Sequence, residues 1–501
     1  MKSIKHEYLK REDWAPDVRK AVNDLIDAYG KNGPKHQDSE YAVFDFDNTT
    51  AIFDVEHQLC NYQLETMCFA MTPDQLAEAM AACAGLQDGT LDKDLYCYAE
   101  KYGHFTYNDW ILDLQNAYSY LWKTYGPFTG RPLSKEQQSL CRQDPWWLEF
   151  AAKMRAYYDL VGYVETSDVC GRCPLYWFTG MTEQQVYDIA YESHLEGAKR
   201  ETRKVTWTSP DPGLISSKVG QVSISFMDGV STTENLKELW QALSENGIDV
   251  WVVSASGTRQ VQAAIDAWGL SPWCKGMMAM NVVVGDDGKY IPEYDFAGHF
   301  FLPDPQENSL CGWMPDPDPR ALPLDAVPHD HGKKTVIDEG LVTKYGCGPI
   351  AGFMDSSGDF NFCTEYDSTR LVICFNRANR SVLDIGSLVA EVAMYERDDL
   401  GYDLEKAAAA GDTLYVLQGR DERGLRCLRA DNTTIRFDQN EANLFHDEQN
   451  MAVLQYIRDH RLTVKQAMDL FAVDIPKESP DNLLGFRYGW LKYYSGYKNS
   501  H

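Results

Sequence analysis

Beyond Pro212-Gly213 the chain alternates short apolar runs with stretches of helical spacing, and this alternation limits its fold more than any other feature. The runs are Val222-Ser-Ile-Ser-Phe226, Asp249-Val-Trp-Val-Val-Ser254 and Ala279-Met-Asn-Val-Val-Val-Gly285, with helical spacing over Thr233 to Asn246 and Thr258 to Trp268 between them. Runs this short suit strands. Strands joined through helices lie parallel, because a parallel neighbour needs a crossover long enough to hold a helix. Lys333 to Tyr345 continues the pattern as a helix, and Pro349 to Met354 and Leu371 to Phe375 as strands. The expected class is α/β with a Rossmann-like, mostly parallel sheet. Such sheets hold ligands beyond the carboxyl ends of their strands, so the residues leaving each run are the first candidates for chemistry.

One run precedes this region. Tyr41-Ala-Val-Phe-Asp-Phe46 suits a buried strand of the same sheet and ends in Asp47-Asn-Thr-Thr50. The stretch that follows is helical, with start signals at Thr106-Tyr-Asn-Asp109, Ser134-Lys-Glu-Gln137, Asp144-Pro145 and Thr182-Glu-Gln-Gln185. With 501 residues the chain exceeds the roughly 250 to 300 at which a single core stops growing, so insertions or a second domain are expected. Four parts follow from the pattern: 1–54, an amphipathic opening helix and the first core strand; 55–215, a helical insertion; 216–385, the Rossmann-like core with a loop insertion at 285–330; and 386–501, an appended α+β region. In that last part Asp412-Thr-Leu-Tyr-Val-Leu-Gln-Gly419 and Gly424-Leu-Arg-Cys-Leu-Arg-Ala430 read as a hairpin, followed by helices at Glu448 to Arg458 and Thr463 to Phe471.

The formal charge of -28, with no Lys/Arg run, argues against a nucleic-acid partner. No apolar stretch at the N-terminus is long enough for a signal peptide or a membrane span, so a cytoplasmic protein without a membrane partner is expected. Thirteen scattered cysteines are not a disulfide framework. Cys170-Gly-Arg-Cys173 reads as a local disulfide or as two plain thiols.

Asp45 and Asp47 stand two apart at the end of a buried strand, so both carboxylates can face one crevice. A carboxylate nucleophile beside Mg²⁺, with a second acid to protonate the leaving alcohol, is a coherent set for phosphoryl transfer. An EF-hand fits poorly, since Thr50 stands where that loop needs glycine and a strand precedes it. Ser254 lies where the next strand leaves the sheet, before Ala-Ser-Gly257 and a helix start whose free amides suit an anion, with Ser256 as its rival. Gly332-Lys333-Lys334-Thr335 opens a helix near the same crevice, and one of its lysines can offset negative charge; the spacing is not that of a Walker loop. Asp355-Ser-Ser-Gly-Asp359 repeats the strand-then-acid placement and offers hard oxygen ligands of the kind that select Mg²⁺.

In this order and strand context, Asp45-Phe-Asp47-Asn48-Thr49, Ser254, Gly332-Lys333 and Asp355-Ser-Ser-Gly-Asp359 resemble the four motifs of the haloacid dehalogenase superfamily. The resemblance implies an aspartyl-phosphate on Asp45, general acid/base work by Asp47, phosphoryl binding by Thr49, Ser254 and Lys333, and Mg²⁺ held by Asp45, Asp47, Asp355 and Asp359. It also makes the helical insertion a cap over the site. Within the superfamily the chain is most similar to bacterial phosphorylcholine phosphatases, through DFDNTT with Asp54-Val-Glu56, WFTGMT, NGIDVWVVSAS and GKKTVI, all between Tyr41 and Phe375. It departs from them in having Met354 before Asp355, His57 beside the acids, and no secretion signal. A small phosphate ester such as phosphocholine is the implied substrate, with Asp54, Glu56, Trp146 and Trp147 as candidate contacts to its cationic end. The competing readings are a phosphoserine-type phosphatase or phosphotransferase on the same core, and an inactive binding or scaffold protein.

Overall fold

The computed structural model describes residues 6–86, 94–165, 167–307, 309–320, 324–325, 327–328, 331–378, 385–445 and 448–462. Six parallel strands make the centre of the fold: β1 Tyr41–Phe44, β2 Asp249–Gly257, β3 Cys274–Val284, β4 Ala351–Met354, β5 Leu371–Phe375 and β6 Leu414–Gln418. Their order is β3-β2-β1-β4-β5-β6, so the chain starts in the middle, builds one half, and returns to build the other. That reversal between β1 and β4 opens a crevice at the carboxyl end of the sheet.

The strands are buried on both faces, which is why they read as unbroken apolar runs. Ala42 and Phe44 pack under helices Pro16–Tyr29, Glu234–Glu245 and Thr258–Ala267. Tyr41 and Val43 face the opposite layer, with Val336, Ile337 and Leu341, Val389 and Val392 of Ile385–Tyr395, and Leu454 and Ile457 of Glu448–His460. Phe44 stacks flat on Phe353 across β1 and β4, ring centroids 3.7 Å apart, so the two strands that frame the crevice are locked in register.

Between β1 and β2 stands a helical region with its own apolar core, containing Val55–Thr66, Pro73–Cys83, Tyr107–Tyr125, Lys135–Gln143, Pro145–Val164 and Glu183–Lys199. Its helices start at the expected caps: Thr106, Ser134, Asp144 and Thr182 each accept a backbone N–H of the first turn. A fully buried Lys153 on Pro145–Val164 pairs with Asp113 of Tyr107–Tyr125, at 2.9 Å, and with Glu149 one turn away on its own helix. The two connections between this region and the sheet run side by side, with Ile52 N donating to Ser231 O at 2.8 Å and Thr232 Oγ1 to Thr50 O at 2.8 Å.

Several expectations are corrected. Val222 to Phe226 is not in the central sheet: Ser223–Asp228 pairs antiparallel with Arg203–Thr208 in a ribbon of its own, its serines on the exposed side. Leu414–Gln418 is no arm of a hairpin but the sixth parallel strand, so the sheet extends past residue 385; the hairpin is the short pair Arg420–Asp421 and Cys427–Leu428 that follows. Residues 285–330 are more than a loop, since Tyr290–Asp295 and Phe301–Pro303 pair antiparallel with β3, and Trp313–Pro315 with the latter. Residues 6–15 are not helical; Lys10 N and Trp14 Nε1 are held by Glu238 at 2.9 Å, and the helix begins at Pro16. Thr463 to Phe471 lies outside the described residues. Cys170 and Cys173 are free thiols, as are the other cysteines. Among the described residues no helix is long and apolar enough to cross a membrane.

Candidate active site

Where β1 ends, Asp45 continues the ladder by donating its amide to Phe353 O at 3.1 Å. The chain then folds back through Phe46–Thr50, with Asn48 in the left-handed region at φ 61°. β4 ends one step away at Met354, so Asp355 emerges beside Asp45, and the short turn after it returns Asp359 to the same spot. Carboxylate oxygens of Asp45, Asp355 and Asp359 all lie within 4.8 Å of one another, and all three residues are buried. The hydroxyl of Thr49 lies between Asp45 Oδ2 (3.1 Å) and Asp355 Oδ1 (3.2 Å) and donates to one of them. Lys333, 3% exposed, places Nζ 2.5 Å from Asp45 Oδ1 and 2.6 Å from Asp359 Oδ1. Arg377, just beyond β5, donates to Asp355 Oδ2 at 2.9 Å.

Three buried carboxylates thus face two cations, Lys333 buried with them and Arg377 partly exposed. Burial and the charges of its neighbours push Asp355 well above the usual carboxylate range, Arg377 opposing, and push Asp359 up to about 6 against the pull of Lys333. Burial by itself would lower Lys333, but Asp359 and Asp45 outweigh it and raise its pKa. The excess of hard oxygen donors over positive charge is the donor set that suits a divalent cation such as Mg²⁺.

Asp47 stands apart from this cluster. Its Oδ1 accepts Val55 N at 2.8 Å and its Oδ2 accepts Ser256 Oγ at 2.7 Å, so its carboxylate is not gathered with the three acids expected to share a metal with it. Burial, then Asp54 and Asp45, hold its pKa well above the ordinary value, which favours the protonated acid. Ser254 is fully buried and turns its Oγ to the amide of Ser256 at 3.1 Å, while Ser256 is the serine that reaches Asp47. Lys334 points elsewhere, to Asp338 Oδ2 at 2.5 Å and over the ring of Tyr366.

Of the expected substrate contacts, Asp54 and Glu56 are at the site and the two tryptophans are not. Asp54 caps helix Val55–Thr66 through His57 N at 2.8 Å. Glu56 is buried, its Oε1 has no hydrogen-bond partner among the described residues, and burial with the charges of Asp54 and Asp47 raises its pKa. His57 Nε2 meets Tyr158 OH at 3.0 Å, and Arg155 lies over that tyrosine ring at 5.2 Å. Trp146 and Trp147 are at the other end of the helix that carries Tyr158, about 18 Å along its axis at 1.5 Å per residue. Trp147 is core, donating to Leu64 O at 2.9 Å and packing edge-on to Trp207; Trp146 stacks on Tyr120. Their helical spacing places them in the packing of the helical region, not in a cage.

No family model matches the chain, and no curated protein does. Among solved structures it is similar to a conserved functionally unknown protein from Anaerococcus prevotii DSM 20548, with 24% identity and a TM-score of 0.63 over 87% of this chain and all of the other. That likeness supports the mixed α/β fold with its mostly parallel sheet. A protein of unknown function from Bordetella pertussis Tohama I aligns over 75% of this chain and 97% of its own, at 10% identity and a TM-score of 0.32.

Proposed function

We propose that this protein is a Mg²⁺-dependent phosphomonoester hydrolase of the haloacid dehalogenase type, acting through an aspartyl-phosphate on Asp45. The observation that carries the reading is the meeting of Asp45, Lys333, Asp355 and Asp359, from three distant parts of the chain, in one buried cluster. Asp45, Asp355 and Asp359 would hold the Mg²⁺, which when bound supplies positive charge to offset that of the transferring phosphoryl group.

A carboxylate oxygen of Asp45 attacks phosphorus as the bond to the ester oxygen breaks, and Asp47 gives its proton to the departing alkoxide. Lys333 offsets charge on the phosphoryl oxygens, and Thr49 orients the nucleophile. Asp47, now ionised, takes a proton from water. The water oxygen attacks phosphorus, the bond to Asp45 breaks, and inorganic phosphate leaves with the Asp45 carboxylate restored. Ser256 holds Asp47 in place throughout. The helical region between β1 and β2 serves as the cap, with Asp54, Glu56 and His57 beside the leaving group.

The substrate is a small phosphate ester. Phosphocholine remains one member of that class, but Tyr158, whose hydroxyl meets His57 beside these acids, has one face already covered by Arg155. The test is phosphate release from p-nitrophenyl phosphate, phosphocholine, phosphoethanolamine and phosphoserine, with Mg²⁺ and with chelator. Release that requires Mg²⁺ supports the reading; no release from any ester, or release indifferent to chelator, overturns it.

A further inference from the structure

We infer that Arg420, delivered by the segment that follows the last parallel strand, is a positioning residue for the loop that carries Asp45 and Asp47. The inference rests on the proposed role of those two acids and adds a part of the molecule that none of their motifs contains. Asp45 and Asp47 can do different work only if the residues around them fix where each carboxylate points. Asn48 follows Asp47 directly and is left-handed, a conformation that asparagine can adopt but most other side-chain-bearing residues rarely do, so contacts that impose it fix the turn after Asp47.

Arg420 supplies that imposition from 372 residues away. Its Nη1 donates to Asn48 O at 2.7 Å and its Nη2 to Asn48 Oδ1 at 3.2 Å, so one guanidinium fork grips both the backbone and the side chain of the same residue. The fork is itself held, with Nε and Nη2 on Glu422 Oε1 at 3.2 and 2.7 Å, and Arg420 is 1% exposed. Rotating Asn48 out of the left-handed region would break both contacts and leave a buried cation with unmet donors, so the loop has one low-energy shape. The same segment also grips the connections to the helical region. Arg426 donates to Ser231 Oγ at 3.0 Å, Gly197 O at 3.2 Å and Arg200 O at 2.9 Å, and Ser231 pairs with Ile52 just past the nucleophile loop. The segment after β6 is therefore a brace beneath the catalytic loop.

A purely structural arginine would make a different set of changes when removed. Arg420→Ala should lower kcat for p-nitrophenyl phosphate by about 10²-fold, the usual consequence of a misplaced nucleophile, with KM within about threefold. In hydrogen exchange, amides of residues 46–53 should exchange about tenfold faster while β1 and β4 keep their protection. Arg420→Lys keeps the charge without the fork and should fall between the two; it is also the variant to read if Arg420→Ala does not fold. Wild-type kcat in either folded variant, or faster exchange spread evenly over the sheet, overturns the inference. If the wild-type protein hydrolyses no ester, the functional reading fails, and the exchange comparison alone still decides whether Arg420 holds the loop.

Discussion

Lys333→Met keeps the length of the side chain and removes one charge from the centre of the site. Lys333 is the only group that bridges Asp45 and Asp359 among the described residues, at 2.5 and 2.6 Å, and it is almost wholly buried. Removing one partner from such a pair leaves uncompensated carboxylates and costs about 3 to 5 kcal/mol, which lowers the melting temperature by roughly 3 to 5 °C in a chain of this size. The loss depends on pH in a definite sense. Asp359 already has a folded pKa near 6, above its unfolded value, so its contribution favours the folded state at low pH and is lost as pH rises toward 6. Without the lysine that pKa rises further and the loss extends to higher pH. The gap in melting temperature between wild type and Lys333→Met should therefore be small near pH 5 and wider near pH 7.5, measured by scanning fluorimetry without added metal. Lys334→Met, whose lysine rests on Asp338 and Tyr366, should stay close to wild type in both stability and turnover. Equal effects from the two lysines, or a gap that does not change with pH, would show that Lys333 does not set the charge balance of the cluster.

Asp47→Asn should reduce turnover by about 10²- to 10⁴-fold, and more for alkyl phosphates than for p-nitrophenyl phosphate, because a proton donor matters most for a poor leaving group; equal losses in steady-state assays would make Asp47 structural. Ser256→Ala removes the 2.7 Å hydrogen bond that anchors Asp47 and should act in the same direction but more weakly, whereas a loss as large as that of Asp47→Asn would give Ser256 a role of its own. Trp146→Ala, on the outer stack with Tyr120, should leave the ratio of kcat/KM for phosphocholine and p-nitrophenyl phosphate within about twofold of wild type, and a selective loss for phosphocholine would restore a choline site there.

The acids and the lysine of the site were legible because each sits where a buried strand or a helix start forces it into the crevice. Asp45 and Asp355 follow apolar runs, Asp359 lies one short turn beyond Asp355, and that placement carries through to the cluster. Two strands lie elsewhere than expected, and their residue patterns show why. Val222-Ser-Ile-Ser-Phe226 alternates, the mark of a strand with one wet face, and it lies outside the parallel sheet; Leu414-Tyr-Val-Leu417 does not alternate, and it lies inside. Arg377 and Arg420 left no such trace, since a charged residue after a strand looks solvated until the tertiary fold closes over it. Trp146 and Trp147 misled because an aromatic-rich helix carries the same composition whether it lines a pocket or packs a core.

The proposed chemistry requires the phosphoryl group to pass through Asp45. The direct measurement is to quench the protein during turnover of p-nitrophenyl phosphate with Mg²⁺, digest it at low pH, and look by mass spectrometry for a phosphoryl group on the peptide that contains Asp45. The label should appear on Asp45 in wild type and be absent in Asp45→Asn, which should retain the fold and lose turnover. Turnover at an undiminished rate in Asp45→Asn, or a label on another residue, would rule out Asp45 as the nucleophile.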